Sequence, residues 1–141
     1  MTNALFRTAG LAGLFLFTTA AMTGGGTASS GTKIGALRQV EKGQWELRSR
    51  EAPRSEPVRR ICIDDPSQLL QVRHGDMPCS RFVIADSDNR AVVSYRCKGS
   101  GNGRTDLRVE TPRLVQIESQ GVAEGEPFAL SIEARRIGDC R

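Results

Sequence analysis

Four cysteines in a small domain with few large side chains set the tightest limit on what this chain can fold into. Cys62, Cys79, Cys97 and Cys140 are an even set in a chain of 141 residues. After residue 22, only Trp45, Phe82, Tyr95 and Phe128 supply aromatic bulk. A folded part of about 105 residues buries roughly 65% of its unfolded surface, so the core is thin. Small exported domains reinforce such cores with disulfides. The competing use of four thiols is a zinc site, whose ligands come in close pairs such as C-x2-C. No two Cys are close in this chain, so the pattern predicts two disulfides and no metal.

The start of the chain agrees with an oxidising destination. Arg7 precedes the apolar run Leu11–Phe17, which leaves through the small residues Ala20 and Ala21. That arrangement predicts a secretory signal peptide over 1–22. A retained anchor needs about 20 continuous apolar residues, and this run thins into Thr18-Thr19 and Thr23-Gly24-Gly25-Gly26. The expectation is an exported protein, periplasmic or secreted, with no transmembrane span after cleavage. Residues 23–40 read as a flexible Gly/Ser/Thr-rich linker, with Ile34, Leu37 and Val40 spaced as one amphipathic turn at its end. Residues 41–141 read as the disulfide-bonded β domain.

Strand patterns fill that domain. Trp45 and Leu47 alternate with Gln44, Glu46 and Arg48; Leu107 and Val109 alternate with Asp106, Arg108 and Glu110. Phe128, Leu130 and Ile132 alternate with Ala129, Ser131 and Glu133. Such period-two patterns predict half-buried strands. Phe82-Val83-Ile84 and Ala91–Tyr95 flank Asp86-Ser87-Asp88-Asn89, the clearest hairpin. Thr111-Pro112 precedes the run Leu114-Val115 and Ile117, and Gly121 and Gly125 mark a turn before Phe128. One short helix is predicted, with Asp65 as cap, Pro66 at the first position and Ser67–Val72 as its body. The fold class is all-β with one short helix: an antiparallel meander, either a half-wrapped sheet or a small barrel.

Those pieces resemble a bacterial exported family, the domain-of-unknown-function family 3617. The resemblance rests on Gly43-Gln44-Trp45-Glu46, on the dispersed Cys, on the helical stretch after Cys62, and on Arg136-Ile137-Gly138-Asp139-Cys140. It singles out Gly43, Trp45, Glu46, Arg136, Gly138 and Asp139 as motif residues. It implies an exported, disulfide-bonded β domain and brings no activity with it. Of the three possible Cys pairings, spacing favours Cys62–Cys79, closing the helical loop, and Cys97–Cys140, tying a hairpin strand to the last strand.

Candidate chemistry is sparse. His74, the single His, is either a general base with Asp76 or Asp64, a metal ligand, or a polar loop residue after the helix. Lys98–Thr105 is Gly-rich but lacks the G-x4-G-K-[ST] spacing and the helix of a phosphate-binding loop, which leaves a hairpin loop. Asp86-Ser87-Asp88-Asn89 lacks the ligand set of a calcium loop and reads as a turn. Trp45 either lines a ligand pocket or fills the core.

Charge points outward. Without Arg7 the 20 basic residues become 19 against 16 acidic ones. Signs mix along Glu46, Arg48, Arg50 and Glu51, as on a solvated sheet face. Arg48, Arg50, Arg54, Arg59 and Arg60 are the candidate contact to an anionic envelope surface. Mixed signs and the lack of stacking aromatics argue against nucleic acid. The sequence thus predicts an exported envelope domain that binds, by the concave sheet face or the Arg-rich edge, or that serves a structural role. The partners considered are a small apolar ligand and an anionic surface, with no cofactor. The alternative is a small hydrolase or metal-dependent enzyme centred on His74.

Overall fold

The structure is a computed structural model that describes residues 33–141. The expected signal peptide over 1–22 and most of the expected 23–40 linker lie outside the described residues. The end of that linker does not behave as one. Ile34, Ala36, Leu37 and Val40 are buried in the core, around a 3-10 turn, η1, at Ala36–Gln39. The three-residue apolar spacing turns one face of η1 inward, so the body of the domain begins at Ile34.

Seven strands follow among the described residues: β1 Gly43–Ser49, β2 Arg59–Ile63, β3 Cys79–Asp86, β4 Arg90–Cys97, β5 Gly101–Thr111, β6 Leu114–Ala123 and β7 Glu126–Gly138. They form one antiparallel sheet in the order β2-β1-β7-β6-β5-β4-β3. From β3 to β7 this is the expected meander, and β1 then joins the outer side of β7. Both β2 and β3 remain edges, so the sheet does not close by hydrogen bonds into a barrel. The β6–β7 connection is a two-residue turn in which Glu124 and Gly125 both take positive φ, 54° and 85°. This is the conformation that suits a tight hairpin and favours Gly.

One face of the sheet carries the core. Thr105, Leu107 and Val109 of β5 sit opposite Ser119, Ile117 and Val115 of β6. Val93 and Ala91 of β4 continue the layer on one side, and Ala134, Leu47 and Trp45 on the other. The predicted short helix is a 3-10 segment, η2, at Pro66–Gln71. Its cap is built as the residues dictate: the Asp65 side chain accepts from Ser67 N at 2.9 Å, and Gln68 Oε1 accepts from Asp65 N at 3.2 Å. This leaves Leu69 and Leu70 fully buried against β5 and β6. The two 3-10 segments therefore fill the hollow of the sheet, with η1 packed on β4, β5 and η2. Asp86 fixes the start of η1 by accepting from Gly35 N at 2.6 Å and Ala36 N at 3.2 Å.

The disulfides differ from the pairing that spacing favours. Cys62 bonds Cys140, and Cys79 bonds Cys97. The reason is strand register. β3 and β4 place Cys79 directly opposite Cys97, with Cα atoms 4.1 Å apart, whereas Cys62 on β2 and Cys79 on β3 occupy opposite edges of the sheet. Cys62 lies opposite Gln44, which in turn faces Gly138, so the chain just beyond β7 passes within reach of Cys62.

Two further expectations change. Gly101–Thr105 is part of β5, so the Gly-rich stretch is a tight turn at Lys98–Ser100 followed by a strand. Gly121 is paired opposite Phe128 inside β6 and does not mark the turn.

Candidate functional site

The motif residues of the two chain ends meet in one clasp. Gly43 has φ 137°, and Trp45 of β1 lies opposite Arg136 of β7. A side chain at Gly43 would run into Gly138 O and into the Arg136 guanidinium, 2.7 Å from Nε and 2.9 Å from Cζ. Arg136 Nε donates to Lys42 O at 2.7 Å, and its Nη2 donates to the Asp139 carboxylate. Glu41 lies 3.6 Å from the same guanidinium. Trp45 is 0% exposed and its indole N–H donates to Glu41 O at 3.0 Å. Glu46 faces the other side of the sheet, paired with Arg48 and Arg60 at 3.3 and 3.4 Å. The clasp holds β1 against β7 beside the Cys62–Cys140 bond. Glu41, Lys42, Arg136 and Asp139 engage one another, and Trp45 belongs to the core.

His74 is likewise engaged. It is buried, with Nε2 3.1 Å from Ser100 O and Nδ1 3.2 Å from Tyr95 Oη. A carbonyl only accepts, so Nε2 carries the proton and Nδ1 accepts from the Tyr95 hydroxyl. Tyr95 and Phe128 both meet its ring edge-on, at centroid distances of 5.3 and 5.9 Å. Neither acidic candidate reaches it: Asp76 accepts from Gln68 Nε2 at 2.8 Å, and the Asp64 carboxylate lies beside the Cys62 sulfur. His74 thus ties the loop after η2 to the β4–β5 turn.

Deeper along the same face, Thr105 Oγ1 donates to Leu70 O at 2.8 Å and accepts from Ser119 Oγ at 2.8 Å. These buried polar groups hold η2 on the sheet. Burial pushes the Tyr95 hydroxyl above its ordinary pKa. The folded state therefore favours neutral Tyr95, whose contribution is complete below about pH 10 and lost as pH rises further. Tyr95→Phe is expected to lower stability at neutral pH by about 1 kcal/mol, through the lost bond to His74. It should also flatten the alkaline fall in stability, as read by urea titrations at a series of pH values.

The outer sheet face is where the charge lies, in rows set by register. Arg90 grips Asp106 in a two-point contact of 2.9 and 2.5 Å. That bond, more than the charges of Arg90, Arg104 and Arg108 nearby, holds the Asp106 carboxyl below its ordinary range. Arg50 pairs with Glu118, and Arg108 with Glu110 at 2.8 Å. The arginines singled out in 48–60 are mostly engaged: Arg48 and Arg60 share Glu46, and Arg59 donates to Val72 O at 2.8 Å.

Arg38, Arg54, Arg73, Arg96, Arg104 and Arg141 have no such partner among the described residues, and two of them lie on strands of this face. Among the described residues, Arg96 and Arg104 make no ion pair and no side-chain hydrogen bond. Both are exposed, on adjacent strands. Register puts Phe82, Ser94, Arg104 and Gln120 in one row across the outer face, and Ser80, Arg96 and Asn102 in the next. A shallow depression of about 430 Å³ runs past Ser94, Asn102, Arg104, Gln120 and Phe128. Phe82 is 71% exposed.

Sequence patterns missed this group, because Arg96 and Arg104 alternate with apolar neighbours as any solvated strand residue does. The available signal was Phe82-Val83-Ile84, a run that cannot place all three side chains on the buried face of a strand. The triad Cys62, Asp64 and Cys140 clusters ligand atoms, but both sulfurs are in the disulfide. The chain matches no protein-family model, no curated protein and no solved structure.

Proposed function

We propose that this domain works in the cell envelope as a non-catalytic binding module for an anionic surface, using the outer face of its sheet. The observation that carries this reading is the filled inner face: η1, η2, Trp45 and the leucines of η2 occupy the hollow where a half-wrapped sheet would hold an apolar ligand. His74, the one residue on which an enzyme reading rested, has both ring nitrogens committed to structural partners. The disulfides are compatible with export, and the excess of Lys and Arg favours an anionic partner.

The test is sedimentation of the protein recovered from the periplasm with washed envelope fragments. It should pellet at low ionic strength and be released at about 1 M salt, where the screening length falls to about 3 Å. A His74→Gln variant that folds should pellet equally well. Failure to pellet at low salt would sink the reading, as would the absence of the protein from the periplasmic fraction.

A further inference from the structure

The two edges of the sheet are treated very differently. β2 is five residues long, carries Arg59 and Arg60, and is covalently tied by Cys62. Charged, short edge strands resist unwanted contacts. β3 is eight residues long and mostly exposed. Three of the large exposed apolar side chains, Met77, Phe82 and Ile84, lie on it or just before it. Its own cation, Arg81, is drawn inward, donating to Gln71 Oε1 at 2.5 Å and Ser67 Oγ at 3.2 Å. On the outer face, Arg96 and the Asp106-paired Arg90 lie on β4, next to this edge, and Arg104 lies one strand further in, on β5 beside Asp106; Arg96 and Arg104 make no ion pair among the described residues.

From this juxtaposition we infer that the β3 edge is a membrane-surface contact: Phe82 enters the boundary between headgroups and acyl chains while Arg96 and Arg104 bind the phosphates of anionic lipids. The inference rests on the binding reading above and names its partner as an anionic bilayer surface. Charge decides the occupant. Two guanidiniums without ion pairs, Arg96 one strand and Arg104 two strands from an exposed aromatic, match a layer of phosphates over hydrocarbon, the arrangement used by interfacial protein segments. Depth follows from the backbone. The 4.1 Å Cα spacing of Cys79 and Cys97 marks a narrow pair, whose N–H and C=O groups point away from the partner strand. By alternation Cys79, Arg81 and Val83 direct theirs to the free edge. Such groups need water, so the contact is confined to the hydrated headgroup level. No helix among the described residues is long and apolar enough to cross a membrane.

The experiment is vesicle binding by the full oxidised protein, comparing phosphatidylglycerol-rich with phosphatidylcholine vesicles. Binding is expected only to the former. Arg96→Gln with Arg104→Gln should weaken it about 25-fold, or about fivefold for each charge removed. Phe82→Ala should weaken it about tenfold. All three side chains are exposed, and an unchanged circular dichroism spectrum with both disulfides intact confirms that the variants fold.

Position is read separately with Phe82→Trp. Its emission should be quenched by lipids brominated near the top of the acyl chain, while an Ile137→Trp protein should not be quenched beyond the buried Trp45 background. Envelope pelleting without vesicle binding would overturn the lipid contact and leave the binding reading standing; failure of both would remove both. Vesicle binding indifferent to Phe82, Arg96 and Arg104 would move the contact elsewhere. A dimer in sedimentation velocity that Phe82→Ala abolishes would assign the edge to a second copy of the chain, which also overturns the proposal.

Discussion

Replacing Cys62 and Cys140 together by Ser should lower the free energy of unfolding by about 4.5 kcal/mol, against about 3 kcal/mol for Cys79 and Cys97. The difference follows from loop length, since the bonds span separations of 78 and 18 residues. In a domain of this size the larger loss corresponds to a melting-temperature drop of about 20 °C or more. It is also a large fraction of a typical total stability of about 5–15 kcal/mol. The two bonds act at different places. Cys79–Cys97 joins neighbouring strands already in register, whereas Cys62–Cys140 fastens edge strand β2 and the chain end across β1. The Cys62/Cys140 variant should therefore gain fast amide exchange in β1 and β2 first, while β4–β6 stay protected. Equal destabilisation by the two pairs, or a non-reducing peptide map linking Cys62 to Cys79, would contradict the assignment.

Gly43→Ala should destabilise the domain on the order of 3 kcal/mol, because the position combines backbone strain with a collision. The φ of 137° disfavours any side chain, and the added methyl would meet the Gly138 carbonyl and the Arg136 guanidinium. Neither neighbour has room to retreat: Gly138 is paired to Gln44, and Arg136 is held by Lys42 O, Glu41 and Asp139. Gly75 provides the control. It also has positive φ, 60°, but nothing lies within 4 Å of an added Cβ. Gly75→Ala should therefore cost only about 1–2 kcal/mol, the left-handed penalty alone. Denaturant midpoints of the two variants measure the comparison, and equal shifts would mean that the clasp is not what requires Gly43.

Local patterns carried most of the elements. The Asp65 cap with Pro66 marked the start of η2 to the residue, and alternation found the body of β1, β5 and β7 as well as the β3–β4 hairpin. β2 escaped because Arg59-Arg60-Ile61-Cys62-Ile63 is an edge strand with weak alternation and two adjacent cations. The motif around Gly43, Trp45 and Arg136 was visible as a motif, but its meaning was not. Only strand pairing shows that its two halves, almost a hundred positions apart, are one clasp. His74 is the reverse case. Its chemistry was legible, and its engagement by Tyr95 and Ser100 was not, since both partners lie more than twenty positions away.

The sequence by itself determined the all-β class, the count of two disulfides and the meander from β3 onward. These follow from side-chain periodicity, turn chemistry and cysteine number, which act between near neighbours. The tertiary structure decided that the sheet stays open, that Cys62 bonds Cys140, that η1 belongs to the core, and that Arg96 and Arg104 share the outer face with Phe82 and make no ion pair among the described residues. Each of these depends on which strand lies next to which and in what register. That order is a cooperative property of the whole sheet, because shifting one strand by a residue turns every one of its side chains to the opposite face.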